Sequence, residues 1–212
     1  MAKITRRDFM KKSAAAAGAM AVPGGLSKGW FSLPAGAGGP GYIEREFGIG
    51  DALCRKVLAE ALAKGGDFAD LFFEHTISNY LMLEDGKVNR AACDVALGVG
   101  IRTVKGDQVG YGFTQDFGEK AMLAAAATAA TIAEAGAAAP AGQFVPLQTG
   151  NYYPITTLLS AVPLESKLPV VQSTNDRCFA LSPLVTKVSV MFHDQQKRIM
   201  VVTSDGVKAE DL

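Results

Sequence analysis

The sequence holds little that could perform chemistry. Its 212 residues include two histidines and three cysteines, and neither type recurs at a metal-binding or redox spacing. It contains no His-Glu-x-x-His, no Cys-x-x-Cys and no Gly-x-Ser-x-Gly nucleophile elbow. Cys54, Cys93 and Cys178 are odd in number and far apart, which excludes a closed disulfide framework and a zinc ribbon. Buried, nearly inert thiols are the expectation. Net charge is also missing, because 21 basic and 21 acidic residues cancel. No overall field therefore draws the chain to nucleic acid or to an anionic membrane. What is present is a globular composition, 49% hydrophobic and 20% charged, in a length that suits one or two modest domains.

The N-terminus carries an address. Thr5-Arg6-Arg7-Asp8-Phe9-Met10-Lys11 has the form of a twin-arginine export signal, with Arg6, Arg7 and Phe9 as its signature residues. The alanine-rich segment over 13–22 is too short to be a permanent membrane span. Ala19-Met20-Ala21 fits a small-x-small cleavage site, so cleavage is expected after Ala21, with Ala35-Gly36-Ala37 as a second candidate. The mature chain is thus expected in the periplasm, touching the membrane through its signal alone. Export in the folded state suits a chain that does not rely on disulfides. Residues 22–48, dominated by Gly, Pro and Ala, read as a linker that cannot bury enough surface to offset its ordering entropy.

The organising stretch is 65–117, where short apolar runs are separated by the turn pairs Asp85-Gly86 and Gly106-Asp107. This spacing predicts an antiparallel meander with strands over 69–74, 79–84, 87–92, 95–105 and 108–114. Helices are expected on either side. Asp51 suits an N-cap, and Leu53, Val57, Leu58, Ala61 and Leu62 form an apolar stripe that Gly65-Gly66 ends. The near-pure alanine run over 119–135 is a strong helix former whose thin side chains allow close approach to a sheet. An irregular linker over 137–163 follows. A third helix is predicted over 166–181, with Pro169 in its first turn. Two strands over 186–192 and 198–203 should then flank an exposed polar loop, His193 to Lys197. The fold class is α+β: a meander sheet flanked by helices over 49–136, then a helix and hairpin over 164–212.

Few residues are candidates for a site. Glu74 and His75 are neighbours on a strand and so point to opposite faces, which favours a structural role. His193 reads as a solvated loop histidine. Glu84-Asp85 reads as the shoulder of a hairpin rather than an acid–base pair. Gly98-Val99-Gly100 lacks the strand-then-helix context of a dinucleotide site, and signals a close backbone approach or a bulge. Tyr111 and Phe113 alternate with Gly110 and Gly112. That aromatic-plus-glycine edge suits core packing, or the docking of an extended peptide by strand addition.

The run GGDFADLFFEHTISNYLMLEDGKV, followed by GVGIRTVKGDQVGYGFT and the alanine-rich helix, resembles the N-terminal region of the TldD/PmbA family. The segment Val-Val-Thr-Ser-Asp-Gly over 201–206 is similar to a strand that ends in a Ser-Asp-Gly turn in that family. The resemblance covers roughly residues 48–212. It implies a zinc metallopeptidase that processes peptides or unfolded chains, or a non-catalytic partner of one, assembled as a homo- or hetero-dimer with a TldD/PmbA-type subunit. The family's zinc motif, His-Glu-x-x-x-His on a helix, belongs to its C-terminal half. The resemblance therefore assigns no catalytic, cofactor-binding or metal residue here, and zinc is implied for the complete family member alone. Two functional readings follow: the N-terminal portion of an exported TldD-like peptidase, or a PmbA-type scaffold that recruits peptide. Family members are mostly cytosolic, so the export signal is a departure.

Overall fold

Tight turns and alternating side chains organise the centre of the chain, seen here in a computed structural model that describes residues 41–131, 142–147 and 155–212. The signal residues Arg6, Arg7 and Phe9, the cleavage position after Ala21, and parts of both expected linkers lie outside the described residues. The meander has three long strands rather than five short ones: β1 Phe68–Glu84, β2 Lys87–Lys105 and β3 Gln108–Thr114. Polar residues that resemble breaks, such as Thr76, Ser78 and Asp94, continue the ladder without interruption from Phe68↔Val104 to Met82↔Arg90.

The first hairpin turns at Asp85 (φ 49°) and Gly86 (φ 73°). Positive φ at both central residues is the type I′ requirement. Gly86→Val is therefore expected to cost about 1–2 kcal/mol, because a β-branched residue resists that conformation. A thermal melt checks it, and an unchanged midpoint would contradict the turn.

The strand that follows the last helix is also longer than its pattern suggests. Helix α4, Leu164–Leu181, leads to β5, Ser189–Thr203, which pairs antiparallel with β1 from Asp70↔Thr203 to Glu84↔Ser189. The expected loop over 193–197 is thus strand, because β1 supplies its polar side chains with partners. Asn79 Nδ2 donates to Asp194 Oδ1 at 2.9 Å, Gln195 Nε2 donates to Ser78 Oγ at 3.2 Å, and Lys197 meets Glu74 at 3.1 Å. The Ser204-Asp205-Gly206 turn, with Gly206 at φ 100°, leads into β6, Val207–Asp211. A two-residue strand β4, Val145–Pro146, pairs parallel with β6. The sheet order is β3-β2-β1-β5-β6-β4.

The other helices are α1 Tyr42–Phe47, α2 Asp51–Leu62 and α3 Glu119–Ala130. α1 falls in the stretch whose composition suggests a linker. Ile43 is fully buried, and Gly48 at φ 72° closes the turn. Asp51 is the first helical residue and Gly50 the N-cap, so Asp51 acts through charge. It complements the helix dipole and takes Lys208 Nζ at 2.6 Å. α4 starts at Leu164, which moves Pro169 beyond the first turn. There its missing N–H removes the bond otherwise given to the Glu165 carbonyl.

All this packs on one face of the sheet. Ala69, Leu71 and Phe73 of β1, with Val99, Ile101, Met200 and Val202, lie under α2 and α3. At the far end Leu81 and Leu83 lie under Val171 of α4. Since β1 side chains alternate, Phe72, Glu74, Thr76, Ser78, Tyr80 and Met82 point to the opposite face. None of the described helices is long and apolar enough to cross a membrane.

Candidate functional site

The open face has a trough at the β3 end. Two alternate β2 positions on this face, Gly98 and Gly100, have no side chain. Phe72 pairs with Gly100 on one side, and Phe113 pairs with it on the other. Tyr111 lies across the gap, so that a Cβ on Gly100 would meet its Oη at 2.2 Å. A Cβ on Gly98 would lie 3.2 Å from the Thr114 carbonyl oxygen. The result is a cavity of about 340 Å³ walled by Phe72, Glu74, Tyr111 and Phe113. The Gly-Val-Gly motif thus serves close approach, as its position inside a strand suggests. Tyr111 is 61% exposed and Phe113 72% exposed, so these rings form the rim of a surface rather than a core. Gly110 and Gly112 face the other way and are buried beneath α3.

Glu74 closes one end of the trough. Burial pushes its carboxyl up, but hydrogen bonds from Thr76 and Lys197 outweigh burial and hold it below the ordinary carboxylate value. Beyond Phe72 on the same face, Arg102 Nε donates to Asp70 Oδ2 at 2.8 Å across the two strands. The trough therefore offers apolar walls, with the Glu74 carboxylate at its rim already paired to Lys197. That suits an apolar side chain of an extended ligand, and it contains no nucleophile with a base to activate it.

His75 and Glu74 point to opposite faces, as strand neighbours must. On the covered face His75 Nδ1 lies 2.8 Å from Tyr42 Oη, its ring stacks on Tyr42, and Phe47 packs edge-on against it. Burial, then the charge of Arg198, pulls its pKa below the ordinary value. It is a half-buried histidine with a structural role, held by the rings of Tyr42 and Phe47. His193 is not in a loop; its ring stacks on Tyr80 at 4.4 Å, on the open face. The two histidines are thus separated by the sheet, and the described residues hold no cluster of three or more His, Cys, Asp or Glu side chains that could take a metal. Their donor set does not fit zinc.

Glu84 ends β1 and Asp85 starts the turn, the hairpin shoulder expected of them. Glu84 pairs with Lys187 and accepts from Asn89 Nδ2 at 3.1 Å. Of the cysteines, Cys54 is buried, and burial pushes its thiol up to about 12. Cys93 is exposed rather than buried, because it lies on an uncovered length of β2. The sequence pattern also missed a buried charge pair, Lys167 on α4 with Asp194 on β5, 2.6 Å apart. The available signal was Lys167 lying four residues before Val171 on the apolar stripe of a helix.

An α+β domain with a six-stranded sheet, covered by helices on one face and grooved on the other, is the class this geometry defines. Residues 69–133 match the family model described as PmbA/TldA metallopeptidase domain 1. A metalloprotease TldD homolog from Haemophilus influenzae is 26% identical over 152 residues, covering 69% of this chain and 31% of that protein. Among solved structures, a candidate modulator of a DNA gyrase from Thermotoga maritima aligns with a TM-score of 0.55 at 15% identity, over 76% of this chain and 36% of that one. TldE from Thermococcus kodakarensis aligns with a TM-score of 0.51 at 13% identity, over 69% of this chain and 34% of that one. These structural likenesses show the fold. The family match and the TldD homolog support the family to which the sequence bears its resemblance. The chain spans about a third of the length of these relatives.

Proposed function

We propose that this chain is the peptide-docking front portion of an exported TldD/PmbA-type metallopeptidase. The observation that carries the reading is the trough over Gly98 and Gly100, which lies inside the segment that matches the family model and beside the edge strand β3. An extended peptide added along β3 gains main-chain hydrogen bonds from the edge, and every second side chain falls on the open face. There Tyr111, Phe113 and Phe72 grip an apolar residue. Because the described residues offer no zinc donor set, no step of hydrolysis is assigned to them. They bind and align substrate for a centre elsewhere in a complete family member. The PmbA-type alternative shares this docking role and lacks the cleavage, so zinc content and peptide hydrolysis of the complete protein separate the two.

Fluorescence anisotropy with a labelled, unstructured, aromatic-rich decapeptide tests the docking role. Tyr111→Ser and Phe113→Ser are each expected to weaken binding about tenfold, the loss typical of an aromatic anchor. Affinity indifferent to both would remove the trough from the account. Export is tested separately. Changing Arg6 and Arg7 to lysine should stop delivery to the periplasm while leaving the folded domain intact, and undiminished delivery would point to a different route.

A further inference from the structure

The uncommitted soft donors of the sheet gather at one place on its open face. Among the described residues the methionines are Met82, Met122, Met191 and Met200. Met122 and Met200 are fully buried in the core. The other two, Met82 of β1 and Met191 of β5, are direct cross-strand partners on the face away from the helices. The chain has two histidines, and His75 is held by Tyr42 on the covered face. His193 stands two residues beyond Met191, so it shares the open face with the methionine pair.

Core packing does not explain this group. Met191 is 71% exposed, and an apolar side chain so open gains little from burial. Neither ring nitrogen of His193 makes a hydrogen bond among the described residues. Its ring is instead stacked on Tyr80, with centroids 4.4 Å apart and planes 8° from parallel. The nitrogens lie in the plane of that ring, so the stack leaves them clear. A cavity of about 380 Å³ opens beside them, lined by Tyr80, Met82, Met191, Arg90 and Asp94. The charges of Arg90 and Asp94 offset each other, so the cavity does not repel a cation.

Register sets the spacing of the three donors. Directly opposed residues of an antiparallel pair have Cβ atoms about 5 Å apart, and diagonal or next-but-one neighbours on the same face lie about 7 Å apart. Met82, Met191 and His193 therefore mark a triangle with sides of about 5, 7 and 7 Å. Methionine is unbranched and turns about three side-chain bonds, so both sulfurs can swing in to meet the imidazole. We propose that Met82 Sδ, Met191 Sδ and one ring nitrogen of His193 form a three-coordinate site for a soft monovalent cation, copper(I). Thioethers are soft, uncharged donors: they suit copper(I) and bring no charge to offset that of zinc(II). The ion binds already reduced, and no electron is transferred. Tyr80 lies eight residues along β1 from Phe72, about 26 Å, so the site stands apart from the trough and does not depend on peptide docking.

Silver(I), an air-stable ion of the same soft, closed-shell character, is the probe. It is titrated into the full chain carrying C93S and C178S, which removes the two thiols that are not buried. Methionine methyl and histidine ring signals are followed by NMR in chloride-free buffer. The Met82 and Met191 methyl signals should move together with the His193 ring protons and saturate at one equivalent, while those of Met1, Met10, Met20, Met122 and Met200 stay in place. Copper(I), added without oxygen, should displace silver(I) from the same three residues. M82L, M191L and H193F should each weaken binding about tenfold or more, and circular dichroism establishes that these surface variants fold. Zinc(II) at the same excess should leave the three signals unmoved. Any of three results overturns the proposal: silver(I) shared evenly among the methionines, affinity indifferent to M191L and H193F, or an equal response to zinc(II).

Discussion

Gly112→Ala is expected to destabilise the domain by about 3 kcal/mol, the upper part of the range for overpacking a well-filled interior. For a domain of this size that is a fall of about 6–12 °C in melting temperature. The backbone of Gly112 has an ordinary φ, so conformational freedom is not the issue. What forbids a side chain is α3: a Cβ built on Gly112 would lie 2.1 Å from the Ala125 carbonyl oxygen and 2.9 Å from its carbon. Both are backbone atoms of a helix that buries Met122, Ala125, Ala126, Ala129 and Ala130, so relief requires the whole helix to lift from β3. Gly106→Ala is the matched control. Gly106 has a positive φ of 54° and nothing within 4 Å of its Cβ position, so it should cost only about 1 kcal/mol of local strain. Urea unfolding should show both as shifts in midpoint at constant slope. If the two substitutions cost the same, α3 does not lie on β3 as described.

That contact also shows what could be read in advance. An alanine-faced helix following a strand with alternate glycines predicts two surfaces meeting at short range, and Gly112 and Ala125 are where they meet. The Asp85-Gly86 and Gly106-Asp107 turns were equally legible, because turn chemistry is local. The length of the strands was not. Thr76, Ser78, Asp94 and the run from His193 to Lys197 break the apolar pattern, and a local reading takes such breaks for loops. Ser78 and the run from His193 to Lys197 are compatible with strand here because partners lie across the ladder: Ser78 for Gln195, Asn79 for Asp194, Glu74 for Lys197. The candidate site divides in the same way. Tyr111 and Phe113 announced themselves by alternating with glycine. Phe72 and Glu74 joined them only through the register of β1 on β2, which sits more than twenty residues away in sequence. α1 was hidden for a different reason. A helix of six residues has too little periodicity to stand out from a Gly- and Pro-rich surround, and it forms because Ile43 is buried.

Lys167→Met is expected to cost about 3 kcal/mol, although it replaces a charge by an apolar group of similar length on a helix face that already buries Val171. The lysine side chain is 6% exposed and that of Asp194 10%. Their groups meet at 2.6 Å as an ion pair, without the alignment of a hydrogen bond at Nζ. Removing the lysine leaves Asp194 buried with the single bond from Asn79. Burial pushes the Asp194 carboxyl up, but the adjacent Lys167 ammonium and the bond from Asn79 outweigh it and hold it below its ordinary value. A depressed carboxylate contributes stability that is present above its unfolded pKa and lost as pH falls through the folded one. In K167M the main cause of that depression is gone, and Asp194 can escape its unpaired charge by taking a proton. The gap between native chain and K167M should therefore be wide near about pH 7 and narrow towards about pH 4. Replacing both partners, as K167M/D194L, should recover most of the loss, since well-packed apolar groups match a buried pair without its desolvation cost. Urea unfolding of the three chains at both pH values measures each term. A K167M penalty that stays constant with pH, with no recovery in the double variant, would mean that the lysine contributes through the packing of its stem rather than through its charge.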